Sequence, residues 1–180
     1  IEDVVSDLKD FEFQIDVLGL KRGRKKKGSF YRLPSTSLVD ESEVYGRDEE
    51  RKELIDLMLC DDDVSKNNVR VIPILGMGGL GKTTLAQLIY GDESVKKRFD
   101  KQAWVCVSED YDAVRITKTL VARVTGRPGM VDGDEDDFDM LQVKLKESLV
   151  EHKFFIVLDD VWIDKYEDWD RLRAPLKYGK

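Results

Sequence analysis

The residues with the clearest chemical capacity are Gly76-Met77-Gly78-Gly79-Leu80-Gly81-Lys82-Thr83-Thr84. They satisfy the spacing G-x-x-x-x-G-K-[ST] of a phosphate-binding loop. Glycine lacks a Cβ, so the backbone can take positive φ and close its N–H groups around an anion. A helix starting directly afterwards adds unsatisfied donors and a partial positive charge. Lys82 would reach the β- and γ-phosphates as a point charge. The Thr83 hydroxyl would ligate Mg²⁺, an ion that keeps much of its water shell and takes few protein ligands. Thr84 would donate to an α-phosphate. The competing reading is a glycine-rich turn that binds nothing. The flanks argue against it. Val69-Arg70-Val71-Ile72-Pro73-Ile74-Leu75 is apolar and β-branched and reads as a buried strand, and Leu85 to Tyr90 reads as a helix. Strand, glycine loop and helix in that order are the setting the chemistry requires.

A second chemical pair is Asp159-Asp160, at the end of the apolar run Phe154-Phe155-Ile156-Val157-Leu158. Asp159 would hold the Mg²⁺ hydration shell from the side opposite Thr83. Two roles stay open for Asp160. It could orient or deprotonate an attacking water, or it could be a further acceptor that fixes the metal's waters.

The elements that must position these groups can be read from periodicity. Ala103 to Ser108 is a second buried strand candidate, with Cys106 in it as a small core residue. Leu54, Ile55, Met58 and Leu59 mark one side of a helix from Glu49 to Leu59. Val114, Ile116, Leu120, Val121 and Val124 mark another, ended by Gly126 and Pro128. Leu141, Val143, Leu145, Leu149 and Val150 mark a third, and Trp169 with Leu172 a short fourth. Residues 61–68 and 129–137 read as polar loops, and Asp92 to Lys101 as a charged connection. Strands alternating with helices predict an α/β fold, a parallel sheet covered on both faces. Ligands of such sheets bind at the carboxyl ends of the strands, where both chemical groups fall. Residues 1–20 carry Ile1, Val4, Val5, Leu8, Phe11, Ile15 and Leu18 at helical spacing, an amphipathic helix whose apolar face needs a partner. The basic run Lys21 to Lys27 and the Gly/Ser/Pro residues after it read as a linker. A nuclear-targeting or lipid-contacting role is the sharper alternative for that run.

The 180 residues suffice for one compact domain and an extension. A net charge of −7 disfavours duplex nucleic acid as the main partner. No apolar run reaches membrane-spanning length. Two cysteines, Cys60 and Cys106, fit a reducing compartment, and the single His152 lacks neighbouring ligand types for zinc.

Several of these segments, taken in order, resemble the NB-ARC nucleotide-binding domain of plant disease-resistance proteins with leucine-rich repeats. Val44-Tyr45-Gly46-Arg47 resembles that family's adenine-contacting motif, and the glycine loop is its phosphate loop almost unchanged. Phe99 to Ser108 is similar to its next motif. Leu158-Asp159-Asp160-Val161-Trp162 is similar to its kinase-2 motif, with Trp162 pointing to the coiled-coil class. Glu2-Asp3-Val4-Val5 resembles an acidic motif of the coiled-coil domain.

The resemblance implies a P-loop NTPase three-layer sandwich, here incomplete, preceded by a helix from a coiled-coil domain. It assigns residues 1–20 to the end of that domain, 21–43 to a linker and 44–180 to the first part of the nucleotide domain. It implies ADP or ATP with Mg²⁺. The nucleotide-binding residues would be Val44, Gly46, Arg47 and the loop from Gly76 to Thr84, with Thr83 and Asp159 on the metal and Asp160 as the catalytic candidate. The implied function is an intracellular, mainly cytoplasmic immune switch with slow ATP hydrolysis. Its partners would be its own helical and leucine-rich-repeat domains and other signalling proteins. The family's later sensor arginine, Gly-Leu-Pro, Met-His-Asp and repeat segments are not in this sequence, so the chain reads as a fragment. A metabolic P-loop kinase, or an interaction module with a structural nucleotide, are the alternatives.

Overall fold

The computed structural model describes residues 34–60, 69–108, 111–127, 137–163 and 165–180. The expected helix over 1–20, the basic run, the polar loop 61–68 and the acidic loop up to residue 136 lie outside the described residues. Pro34–Lys180 forms one compact unit.

Among the described residues two strands form its sheet. β1 (Lys101–Ser108) pairs with β2 (Phe154–Val161) in parallel, with Lys101 opposite Phe154 and Ser108 opposite Val161. Parallel neighbours need a long crossover. Here it holds α4 (Ala113–Thr125) and α5 (Phe138–Leu149), preceded along the chain by α1 (Asp48–Leu59), α2 (Lys82–Gly91) and α3 (Glu93–Arg98).

Period-two alternation sorts each strand between two cores. Ala103, Val105 and Val107 of β1 are buried against Ile116, Leu120, Val121 and Val124 of α4 and Leu145 and Leu149 of α5. Phe154, Ile156 and Leu158 of β2 pack on the same core. On the opposite face Phe155 joins Leu85 and Ile89 of α2 and Val95 of α3, with Leu54, Ile55 and Met58 of α1 behind them. Trp104 meets Tyr90 of α2 edge-on at 5.6 Å on that face. The three layers are therefore α4/α5, the sheet, and α1/α2/α3.

The helices begin and end where their caps dictate. Asp112 accepts from the Arg115 N–H and starts α4; Gly126, at φ 66°, stops it. Asp137 accepts from the N–H groups of Asp139 and Met140 and starts α5. Leu120 is wholly buried, so its truncation to Ala would cost about 2–5 kcal/mol. The guanidinium of Arg115 donates to the Cys106 and Val107 carbonyls, satisfying the carboxyl end of β1. At the C-terminal side, α6 (Tyr166–Arg173) and a 3₁₀ turn (Ala174–Tyr178) bury Leu172, Pro175 and Leu176. Gly179 bridges to Val150 and lies against the Phe154 ring with no room for a Cβ.

Two expectations are corrected. Val69–Leu75 is neither a strand nor buried: it joins no ladder, and Val71 and Leu75 are 57% and 87% exposed. A strand exists only through its neighbour's hydrogen bonds. The second edge of β2 pairs with nothing among the described residues, and Pro73 has no N–H to offer. Only Val69 of this stretch packs on the core. The charged connection from Asp92 contains a helix, α3. Asp92 caps it by accepting from the Ser94 N–H, and Lys96, Lys97 and Arg98 suit its negative end.

Candidate functional site

The glycine loop turns into α2 through left-handed backbone. Gly79 and Gly81 sit at φ 82° and 77°, where an L side chain is strained, and Gly81 is the residue capping α2. Lys82 is therefore the first residue of α2, and the first free N–H groups of that helix open onto the loop. The Lys82 ammonium donates to the carbonyls of Gly76 and Met77, both at 2.8 Å. Those carbonyls hold its charge inside the loop.

Thr83 and Asp159 come together across the sheet. The Thr83 hydroxyl lies 3.1 Å from both carboxylate oxygens of Asp159, although 76 residues separate the two. Alternation explains the meeting: Asp159 shares strand parity with Phe155, which packs on the α2 side. A hydroxyl and a carboxylate side by side are hard oxygen donors. That donor set fits Mg²⁺, which needs only one or two protein ligands beside phosphate and water.

Asp160 is set differently. Its backbone is left-handed at φ 55°, a rare state for a non-glycine residue. One of its carboxylate oxygens accepts a 3.0 Å hydrogen bond from the indole N–H of Trp162. Asp160 thus stands beside Asp159 in sequence but is aimed by Trp162.

Beyond the phosphate loop, a cleft of about 220 Å³ is lined by Val44, Tyr45, Arg47, Gly79, Leu80, Gly81, Thr84, Leu85 and Leu88. The cleft thus joins residues some 35 positions apart: the Val44–Arg47 segment, the end of the glycine loop and the first turns of α2. Gly46 and Arg47 are both left-handed, at φ 78° and 69°, which turns the chain sharply into α1. The Arg47 guanidinium donates to the Leu80 carbonyl at 3.0 Å and pairs with Glu50 at 3.0 Å.

Of the residues singled out from sequence, Val44, Arg47, Gly79, Leu80, Gly81 and Thr84 line the cleft. Gly76 and Met77 bind Lys82, and Thr83 meets Asp159. Gly78 is exposed in the loop, and Gly46 supplies the turn before Arg47. Sequence reasoning missed Leu85 and Leu88 as cleft walls, and had Tyr45 in the Val44–Arg47 motif without counting it among the binding residues. Leu85 and Leu88 were readable as an i, i+3 pair on one side of α2. It also missed the bond from Trp162 to Asp160.

Residues 51–180 match the NB-ARC domain. The RPP13-like disease resistance protein 1 of Arabidopsis thaliana is 42% identical over 177 residues, covering 97% of this chain and 16% of that protein. The disease resistance protein RGA2 of Solanum bulbocastanum is 38% identical over 177 residues, covering 98% of this chain and 17% of its own length. The chain thus spans less than a fifth of the curated relatives it matches.

Proposed function

This chain belongs to the NB-ARC domain family, and from that premise we propose that it is the nucleotide-holding segment of a plant intracellular immune receptor, a switch set by ADP or ATP with Mg²⁺. The observation that carries this reading is the Thr83–Asp159 contact. It joins the hydroxyl that follows the phosphate-loop lysine to the carboxylate that ends an apolar strand. Few structural needs bring that pair together, whereas binding a phosphate-bound metal requires both.

Each group then has a role. The glycine-loop N–H groups and the α2 N-terminus hold the phosphates. Lys82 leaves the Gly76 and Met77 carbonyls for phosphate oxygens. Val44, Leu80, Leu85 and Leu88 offer the base an apolar pocket, with Arg47 at its edge. Thr83 and Asp159 would hold Mg²⁺, whose positive charge offsets that of the phosphates. Asp160, aimed by Trp162, orients the water that attacks in a slow hydrolysis.

A nucleotide acts as a switch only through different affinities for two conformations. In this proposal residues 44–180 are the first part of the nucleotide domain, 21–43 a linker and 1–20 the end of a coiled-coil domain. Helical and leucine-rich-repeat domains supply the moving parts, and signalling proteins are the downstream partners. The proposed working compartment, on the family resemblance, is the cytoplasm. Separately, no helix among the described residues is long and apolar enough to cross a membrane.

The test is calorimetric titration of the full-length protein with ADP, with Mg²⁺ and with EDTA. Binding that Mg²⁺ tightens, and that Asp159→Asn makes indifferent to Mg²⁺, is the expected result. ADP binding with no metal dependence in the unmodified protein would overturn the proposed metal site.

A further inference from the structure

The cleft is only as well formed as the placement of the Val44–Arg47 segment, and apolar packing does little to set that placement. The α1 helix has no fully buried residue, and its apolar contacts Leu54, Ile55 and Met58 lie in its second half. Its first turn, which adjoins the cleft, is held by two arginines instead. Arg47 donates to Leu80 at the phosphate-loop end of α2. Arg51, one turn later, reaches the other end: it donates at 3.1 Å to Asp92, the residue directly after α2. Its second arm donates at 3.1 Å to Glu41, in the 3₁₀ turn (Glu41–Glu43) just before Val44. The ten residues of α2 span about 15 Å, so the two arginines strap one turn of α1 along its full length.

The Arg51–Asp92 pair is sheltered, with side chains 25% and 20% exposed, so it is screened less than a surface pair. Asp92 is itself fixed, because its other oxygen accepts from the Ser94 N–H and hydroxyl. A planar fork that joins two carboxylates on different elements suits arginine and not lysine.

We propose that Arg51 is a positioning residue for base recognition: by bridging Glu41 and Asp92 it holds the Val44–Arg47 segment against the cleft. The inference rests on reading that cleft as the base pocket of the nucleotide site. Without the bridge, the fraction of molecules with a formed cleft falls, and affinity falls with it in proportion. The nucleoside part of the affinity is the part affected, because the Lys82 contacts to Gly76 and Met77 involve no atom of Arg51.

The experiment compares ADP with inorganic pyrophosphate, both with Mg²⁺, on the full-length protein and its Arg51→Ala, Arg51→Lys and Asp92→Asn variants. Asparagine keeps the α3 cap, so Asp92→Asn tests the bridge without disturbing that helix. The expected result is ADP binding weakened about tenfold in Arg51→Ala and Asp92→Asn, with pyrophosphate binding unchanged. Arg51→Lys falls short of full rescue. The Arg51→Ala/Asp92→Asn double variant is no weaker than Arg51→Ala alone, since Arg51→Ala already removes the pair that Asp92→Asn breaks. ADP affinity equal to the unmodified protein's in both single variants overturns the proposal. So does a parallel loss of ADP and pyrophosphate. If the unmodified protein binds ADP no better than pyrophosphate, the base-pocket reading itself fails, and the proposal with it.

Discussion

Thr83→Val isolates the contact on which the functional reading turns. Valine matches threonine in shape and removes only the hydroxyl. That hydroxyl has one proton to share between two carboxylate oxygens at 3.1 Å, so one charge-assisted hydrogen bond is lost. Such a bond contributes about 1.5–3 kcal/mol. Both partners are partly exposed, so water reclaims some of the loss and about 1.5–2 kcal/mol is expected. For a unit of this size that lowers the melting temperature by about 3–8 °C without ligand. On the proposed reading the same hydroxyl would ligate Mg²⁺ when ADP is bound, so the metal-dependent affinity should drop about 10- to 30-fold. Scanning calorimetry and titration with and without EDTA measure the two effects. Thr83→Ser, which keeps the hydroxyl, should restore both. A Thr83→Val protein that gains as much affinity from Mg²⁺ as the unmodified one, or a Thr83→Ser protein that gains no more than Thr83→Val, would refute the assignment.

On the proposed reading Lys82→Ala removes the cation that would neutralise phosphate charge, a loss of about 2–3 kcal/mol, and ADP should bind about 30- to 150-fold more weakly by titration. Asp160→Asn tolerates the left-handed backbone and should spare ADP binding while slowing single-turnover ATP hydrolysis about 10²-fold if the carboxylate serves as a base; equal rates would leave it a structural role only. The Asp92 carboxyl is held below the usual carboxylate range first by the Ser94 hydroxyl, then by the Ser94 N–H and Arg51, which together outweigh its partial burial. Its folded-state value is depressed, so its stabilisation is complete above the ordinary value and is lost as pH falls through the folded one. The melting-temperature advantage of the unmodified protein over Asp92→Asn should therefore shrink below about pH 4 and stay level from there to neutrality.

Local signals carried well from sequence to structure. The apolar stripe at Ile116, Leu120, Val121 and Val124 became the buried face of α4, and the apolar runs at 103–108 and 154–158 became paired strands. Val69–Leu75 did not follow its pattern. A run of side chains states which residues prefer a ladder but not whether a neighbour is present to complete one, and exposed Val71 and Leu75 show the outcome without it. The glycine loop was readable because each residue type answers a local need. The Arg51 bridge was not, because Glu41, Arg51 and Asp92 are unremarkable charges until three elements meet. The left-handed backbone of Asp160 leaves no mark on composition either.

The meeting of Thr83 with Asp159 has a consequence for the economy of the whole fold. The two residues lie on opposite sides of the β1–α4–α5 excursion, so any ligand held by both binds only the assembled chain. By mass action, such a ligand at a hundred times its dissociation constant adds about 2.7 kcal/mol to folding. Damage far from the site, such as a side chain forced in at Gly179 against Phe154, would then be partly masked at cellular nucleotide levels. It would surface when the nucleotide pool falls. On the proposed reading, nucleotide supply sets how much structural variation this domain can carry silently.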